Sequence, residues 1–442
     1  MSEGISKRAD ISERLMDRVC SFASESEIFL ATIFYDSVCE PHIKDSYYSE
    51  KERLEDAYSK KVNVACSAQQ LTEAKWHMKM HHYGEAKVWL EKFRADFGKG
   101  EKEDPALVQD DVGSYGACHE QWFLKLDASM EMFFKLNNVE SKHEKPLDFL
   151  DEINSPSLIR SLFDKYLDPK EPITKRGREW ALNSLTGLVA CLHYDMPSEH
   201  SFHPELKVSI DNLLDEEWQD FNTGFWGVSE MGNAGEVGFY PHLGLTFHII
   251  NYRSEHILTN RYWPQTLETL LSSKDKAWPY GWKEDVCIDG VEKLVDSSHH
   301  LYDVVKILNL ALESIDENRE GGVWRLSQKE LHSLQNKIYD ELSSILVWAL
   351  NNISSGAYFN SDMDDYHEEV NYYVFLLMEL GYFDEEKPAW MNDTYFDRYN
   401  RMSILNILLN RYEESMDCEN HGETKRACGY LDDAVSFLVF DL

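Results

Sequence analysis

The chain has 442 residues and a formal net charge of −35, from 44 basic and 79 acidic side chains. A field of that sign repels nucleic acid and other polyanions at long range, which argues against a phosphate-backbone reader. With 43% hydrophobic and 13% aromatic residues and only 12 prolines, the composition excludes a disordered chain and is sufficient for a large core.

The first twenty residues, MSEGISKRADISERLMDRVC, carry no apolar segment behind their charges. No later stretch reaches the roughly 18 consecutive apolar residues of a membrane span, so the expectation is a soluble protein of the cytoplasm. The eight cysteines are scattered without C-x-x-C spacing, which points to reduced thiols and to no structural zinc. Cys418, His421 and Cys428 match no common metal spacing. No metal and no cofactor are expected.

In chain order, residues 8–98 read as successive helices with breaks near Pro41 and at Tyr83-Gly84. His77 and His81 lie four apart, as two metal ligands would on a helix, but no H-E-x-x-H surrounds them, and a packing pair is the plainer reading. Residues 97–116 are polar and glycine-containing, a loop. Residues 118–136 resume a helix on an apolar face that includes Trp122, Leu126 and Met130. Residues 1–146 are therefore an N-terminal helical region, which either completes the following fold or stands apart from it.

From residue 147 the pattern is regular. Helices are predicted over 148–167, 178–196 and 204–219. Three related turns come next: DFNTGFW ends at Trp226, NREGGVW at Trp324 and NISSGAY at Tyr358. Each has a polar residue, a glycine and then an aromatic at fixed spacing. Recurrence of one turn chemistry between helices signals an internally repeated helical architecture, and strand-like alternation is scarce. An all-α fold is expected for residues 147–442.

Three polar stripes interrupt helix starts where apolar residues would be expected. Asp362, Asp364 and Asp365 form D-x-D-D, and helical spacing continues from Asp365 through Glu368 and Glu369 to Tyr372. Clustered carboxylates raise one another's pKa and make an acid available near neutral pH. They also serve as ordinary first-turn acids. A second stripe holds His242, Thr246, Arg253 and His256, and a third Asp296, His299, His300 and Asp303. These too have a plain reading, as caps and i,i+4 surface pairs. If the helices converge, the stripes line one small-molecule cavity, with Trp226, Trp282, Trp324, Tyr358 and Tyr372 as its aromatic walls.

The three turns resemble the Q-x-x-x-G-x-W repeats of the squalene-hopene and oxidosqualene cyclase family, and Asp362-Met363-Asp364-Asp365 resembles that family's acid motif. Here Asp220, Asn318 and Asn352 stand for the glutamine, Tyr358 for one tryptophan and Tyr366 for the threonine after the aspartates. The resemblance covers residues 150–442 at most. It implies an α/α toroid around a deep cavity and an isoprenoid cyclase in which Asp364 protonates an alkene, supported by Asp362 and Asp365, without a metal. Carbohydrate-active hydrolases and lyases use a similar frame. For them Asp303 and Asp364 would be paired carboxylates, or His300 would act with a tyrosine. WPYGW at 278–282 resembles a turn of the lanthionine cyclases, but Pro279 stands where their metal-binding cysteine would be. A non-catalytic helical scaffold with solvated stripes is the third alternative.

Overall fold

The computed structural model describes residues 42–54, 56–57, 65–79, 82–97, 109–115, 122, 125–126, 129, 145–171, 173, 175–193, 200–231, 236–253, 260–288, 291–317, 323–356, 363–384, 398–415, 427, 430–431 and 434. These are mostly helical, with four short strands paired as two two-stranded sheets. Among them no helix is long and apolar enough to cross a membrane. The chain divides into two compact units, residues 1–210 with 228–238, and 211–227 with 239–442.

In the first unit, α1 (Ala65–Lys79) and α2 (Tyr83–Asp96) pack as a helical hairpin. Leu71, Ala74, Tyr83, Trp89, Leu90 and Phe93 form its core, joined by Ile43 and Tyr47 from a helical segment over 42–54. Tyr83 is the first residue of α2 and is buried, so the break falls just before it. His77 is buried in this hairpin, and its pKa is lowered to about 4 by burial and then by His82; His81 lies outside the described residues.

The helix expected over 148–167 splits. Pro156 restricts Ser155 to extended backbone, leaving a 3₁₀ turn at Asp148–Glu152 and placing Ser155 as the N-cap of α3 (Pro156–Leu167). Next, α4 (Lys175–His193) packs on both α1 and α3.

Beyond α5 (Leu206–Asn212) and a π-helical turn (Leu213–Trp218), the chain runs through one motif twice. A tryptophan turn leads into β1 (Gly227–Met231) and β2 (Val237–Pro241), then α6 (Leu243–Tyr252) and α7 (Trp263–Ser272). A second turn at Trp282 leads into β3 (Lys283–Ile288) and β4 (Val291–Asp296), then α8 (Ser298–Glu317) and α9 (Gln328–Ser355). The chain goes on to α10 (Met363–Glu379) and α11 (Arg398–Ser415).

The repeat is chemical as well as topological. The Trp226 indole N–H donates to the Leu214 carbonyl, 12 residues earlier, at 2.9 Å. That of Trp282 donates to the Leu270 carbonyl, again 12 earlier, at 3.0 Å, and that of Trp324 to Ser314 Oγ at 3.1 Å. Each indole ties the chain back to the preceding helical segment, and at Leu214 and Leu270 it adds to a carbonyl that already accepts from the Gln219 and Ser273 amides.

Within the second unit α8 is central. It packs against α6, α7, α9 and α10, while α9, α10 and α11 contact one another. Val304, Val305, Ile307, Leu308 and Ala311 are accordingly all at 0% exposure. Near its C-terminal half α8 is tied to α10, where Lys306 Nζ and Asn309 Nδ2 reach Glu379 at 2.8 and 3.1 Å.

Candidate functional site

Four histidines and an aspartate gather around the starts of α6 and α8. His242 is the N-cap of α6. Its Nδ1 accepts from the Leu245 amide at 3.1 Å, which leaves Nε2 as the ring's N–H when it is neutral. The loop holding Trp278 and Tyr280 lies beside it, because Pro279 accepts from the Leu243 amide at 2.7 Å and both aromatic rings stand about 6 Å from the His242 ring. Gly244 makes this approach feasible. A Cβ there would come within 2.8 Å of the Trp278 ring.

Trp278 bridges to α8. Its ring stacks on His300 with centroids 4.1 Å apart and planes 3° from parallel. His299, one residue earlier, stacks on Tyr372 of α10 at 3.9 Å. Tyr302 continues the aromatic layer toward Phe247, Tyr372 and Phe375.

Beneath these rings lie the groups whose protonation is most altered. Asp303 is 1% exposed, and burial pushes its carboxyl up to about 7, against a smaller pull downward from His299. Burial and then His299 hold His300 down at about 3 and His248 at about 4. Both rings are therefore neutral imidazoles at pH 7. His248 Nδ1 is paired with the Tyr252 hydroxyl at 3.2 Å.

His300 makes a hydrogen bond to the Trp282 backbone that favours ring protonation, while its Nδ1 is buried without a partner. The donor to Trp282 is thus Nε2–H, and Nδ1 offers a lone pair. Asp303 Oδ1 is also buried without a partner. An acceptor and a protonatable carboxyl, both orphaned, stand three residues apart on one helix face. Orphans of this kind are what a bound hydroxyl or a trapped water satisfies.

The remaining expected site residues lie elsewhere. Asp296 ends β4 and pairs with Lys283 Nζ at 2.8 Å across the hairpin, rather than starting the α8 stripe. Arg253 is the C-cap of α6, at the opposite end from His242, and makes paired 2.7 Å bonds to Asp215 plus a 3.0 Å ion pair with Asp211. Trp226, Trp282 and Trp324 are at most 1% exposed. Rings so enclosed peg successive helices and do not form the aromatic walls of a cavity at the histidine cluster. Tyr358, Asp362 and His256 lie outside the described residues, as do the side chains of Asp364 and Asp365 at the start of α10.

Two members of the cluster have little signal in the sequence. Trp278 stands out there only as part of an aromatic turn, and its stacking depends on Gly244. His248 lies off the His242 stripe, and its one signal is the i,i+4 spacing to Tyr252.

Among the described residues no group of three or more His, Cys, Asp and Glu side chains is placed to hold a metal ion. Compared with known proteins, the chain matches no family model, no curated protein and no solved structure.

Proposed function

We propose that the chain is an acid–base enzyme of the α/α-toroid type acting on an uncharged carbohydrate, with Asp303 as its general acid. The observation that carries this is the Asp303 carboxyl, buried on α8 beside His299 and His300 and pushed up by burial to about 7. A carboxyl of that acidity exchanges protons with a hydroxyl, carbonyl or glycosidic oxygen near neutral pH. It is a poor donor to an alkene, which needs a much stronger acid.

The surroundings favour the same substrate class. Imidazole nitrogens and tyrosine hydroxyls supply hydrogen-bonding groups for a polyhydroxylated molecule, and half-buried Trp278, Tyr280 and Tyr372 present ring faces of the kind that stack on sugars. In this reading His300 Nδ1 accepts a substrate hydroxyl while protonated Asp303 donates to the reacting oxygen. His299 beside Asp303 tunes the proton. The packing of one central helix, α8, against α6, α7, α9 and α10 is what a toroid of paired helices would require. Cys191 is buried as a thiol rather than in a disulfide, which accords with a reducing cytoplasm.

The isoprenoid-cyclase reading rests on Asp362, Asp364 and Asp365 instead. One experiment separates the two. The full chain is incubated with panels of neutral oligosaccharides and of linear isoprenoids, and any turnover is compared in Asp303→Asn and Asp364→Asn. The expected result is turnover of a saccharide that falls at least ~10²-fold in Asp303→Asn. Turnover of an isoprenoid, abolished by Asp364→Asn and indifferent to Asp303→Asn, would sink the proposal.

A further inference from the structure

A cavity of about 670 Å³ opens between the start of α7 and residues 323–326, within the size range of small-molecule sites. None of its lining residues belongs to the histidine cluster. We propose that it binds a small phosphate monoester whose ring carries a hydrogen-bond donor, a molecule of nucleoside-monophosphate type.

Charge is the first argument. In a chain of net −35, two arginines, Arg261 and Arg325, line one cavity, a local reversal of sign suited to a dianion. Arg261 pairs with Glu216 at 3.0 Å, both side chains being more than half exposed, donates to the Asp215 carbonyl at 3.4 Å and lies over the Tyr262 ring. The ion pair is exposed and therefore weak, so a phosphate can take its place on the guanidinium. Arg325 makes no ion pair among the described residues, and its φ of 35° lies in the left-handed region that a non-glycine residue adopts only under constraint.

The lining also matches a ring. Tyr262, Pro264 and Leu326 give the cavity apolar surface next to the two guanidiniums. Gln265 adds a polar group, for its Oε1 is buried and has no hydrogen-bond partner. That acceptor suits an amino group or ring N–H on the ligand. The phosphate would sit against Arg261 and Arg325, with the ring on the apolar side within reach of Gln265.

Isothermal titration of the full chain with adenosine monophosphate, phenyl phosphate and inorganic phosphate tests this. Affinity is expected to fall in that order. Arg261→Gln and Arg325→Gly should each weaken all three by about tenfold or more, the worth of a charge-assisted hydrogen bond. Glycine at 325 accepts the backbone conformation already present, so loss of binding there is not loss of fold. Gln265→Leu should weaken the adenosine ligand and spare phenyl phosphate. The proposal is overturned if none of the three probes gives a binding heat, if the two arginine variants bind as the parent does, or if inorganic phosphate binds as tightly as the esters.

Discussion

Asp303 shows how one residue's environment decides between a helix-surface pair and a reactive group. Spacing alone allows a solvated Asp303–His299 pair, whereas the structure puts the carboxyl at 1% exposure. The consequence for stability has a definite sign. Between the unfolded value of 3.8 and about 7, the folded chain keeps a proton that the unfolded chain gives up. The stability contributed by the neutral carboxyl is complete below 3.8 and is lost as pH rises to about 7. His248 and His300 act oppositely. Their pKa values are lowered from 6.5 to about 4 and about 3, so their contribution is present above 6.5 and lost as pH falls. The difference between Asp303→Asn and the parent isolates the carboxyl from the imidazoles. Its amide variant should gain on the parent steadily from pH 5 to 7 and hold that gain above 7, whatever constant offset the amide introduces. Thermal melts across pH 5 to 8 measure this, and a difference that does not change with pH would show that Asp303 ionises normally.

At the scale of elements, the glycine–aromatic turn ending at Trp226 is the one of the three expected turns that lies wholly within the described residues, and it has the left-handed glycine its pattern calls for. Gly224 has φ +68°, and a Cβ on it would lie 2.4 Å from Thr266 Oγ1 and 2.7 Å from the Tyr262 carbonyl. Left-handed strain and a clash with fixed backbone both act on Gly224→Ala. Together they should destabilise the chain by about 2–4 kcal/mol. Urea unfolding should show the loss as a lower midpoint at unchanged slope, and a loss below ~1 kcal/mol would mean that the turn tolerates a side chain. Ser327 and Glu330 form the capping box that opens α9, and left-handed Gly356 closes it. The hairpins are not legible, because β3 and β4 are six-residue ribbons of mixed polarity, too short for alternation to show against noise. Trp282 is hidden for a related reason. Its glycine is the adjacent residue, Gly281, so the spacing of the Trp226 turn is broken although the indole bond to a leucine 12 residues back is kept.

For the whole molecule the informative feature is where the chain divides. The change of pattern at 146/147 makes the residues before it either a separate body or a completion of the helical domain after it. The structure places α3 and α4 in one compact unit with α1 and α2, and α4 packs directly on α1. Sequence periodicity gives no notice of this, since the apolar face of α4 reads the same whichever partner covers it. Leu182, Leu185, Leu188 and Val189 of that helix are buried in the full chain. A fragment of residues 147–442 would keep the second unit but leave α4 without α1 and α2. It should therefore melt below the full chain and bind more of a hydrophobic dye, because newly exposed leucine and valine side chains each forgo about 1.5–3 kcal/mol of burial to the extent that they are uncovered. Differential scanning fluorimetry of the fragment beside the full chain reads both quantities. A fragment that melts at the parent temperature without added dye binding would show instead that residues 1–146 are an independent domain and that α4 owes its stability to the residues after it.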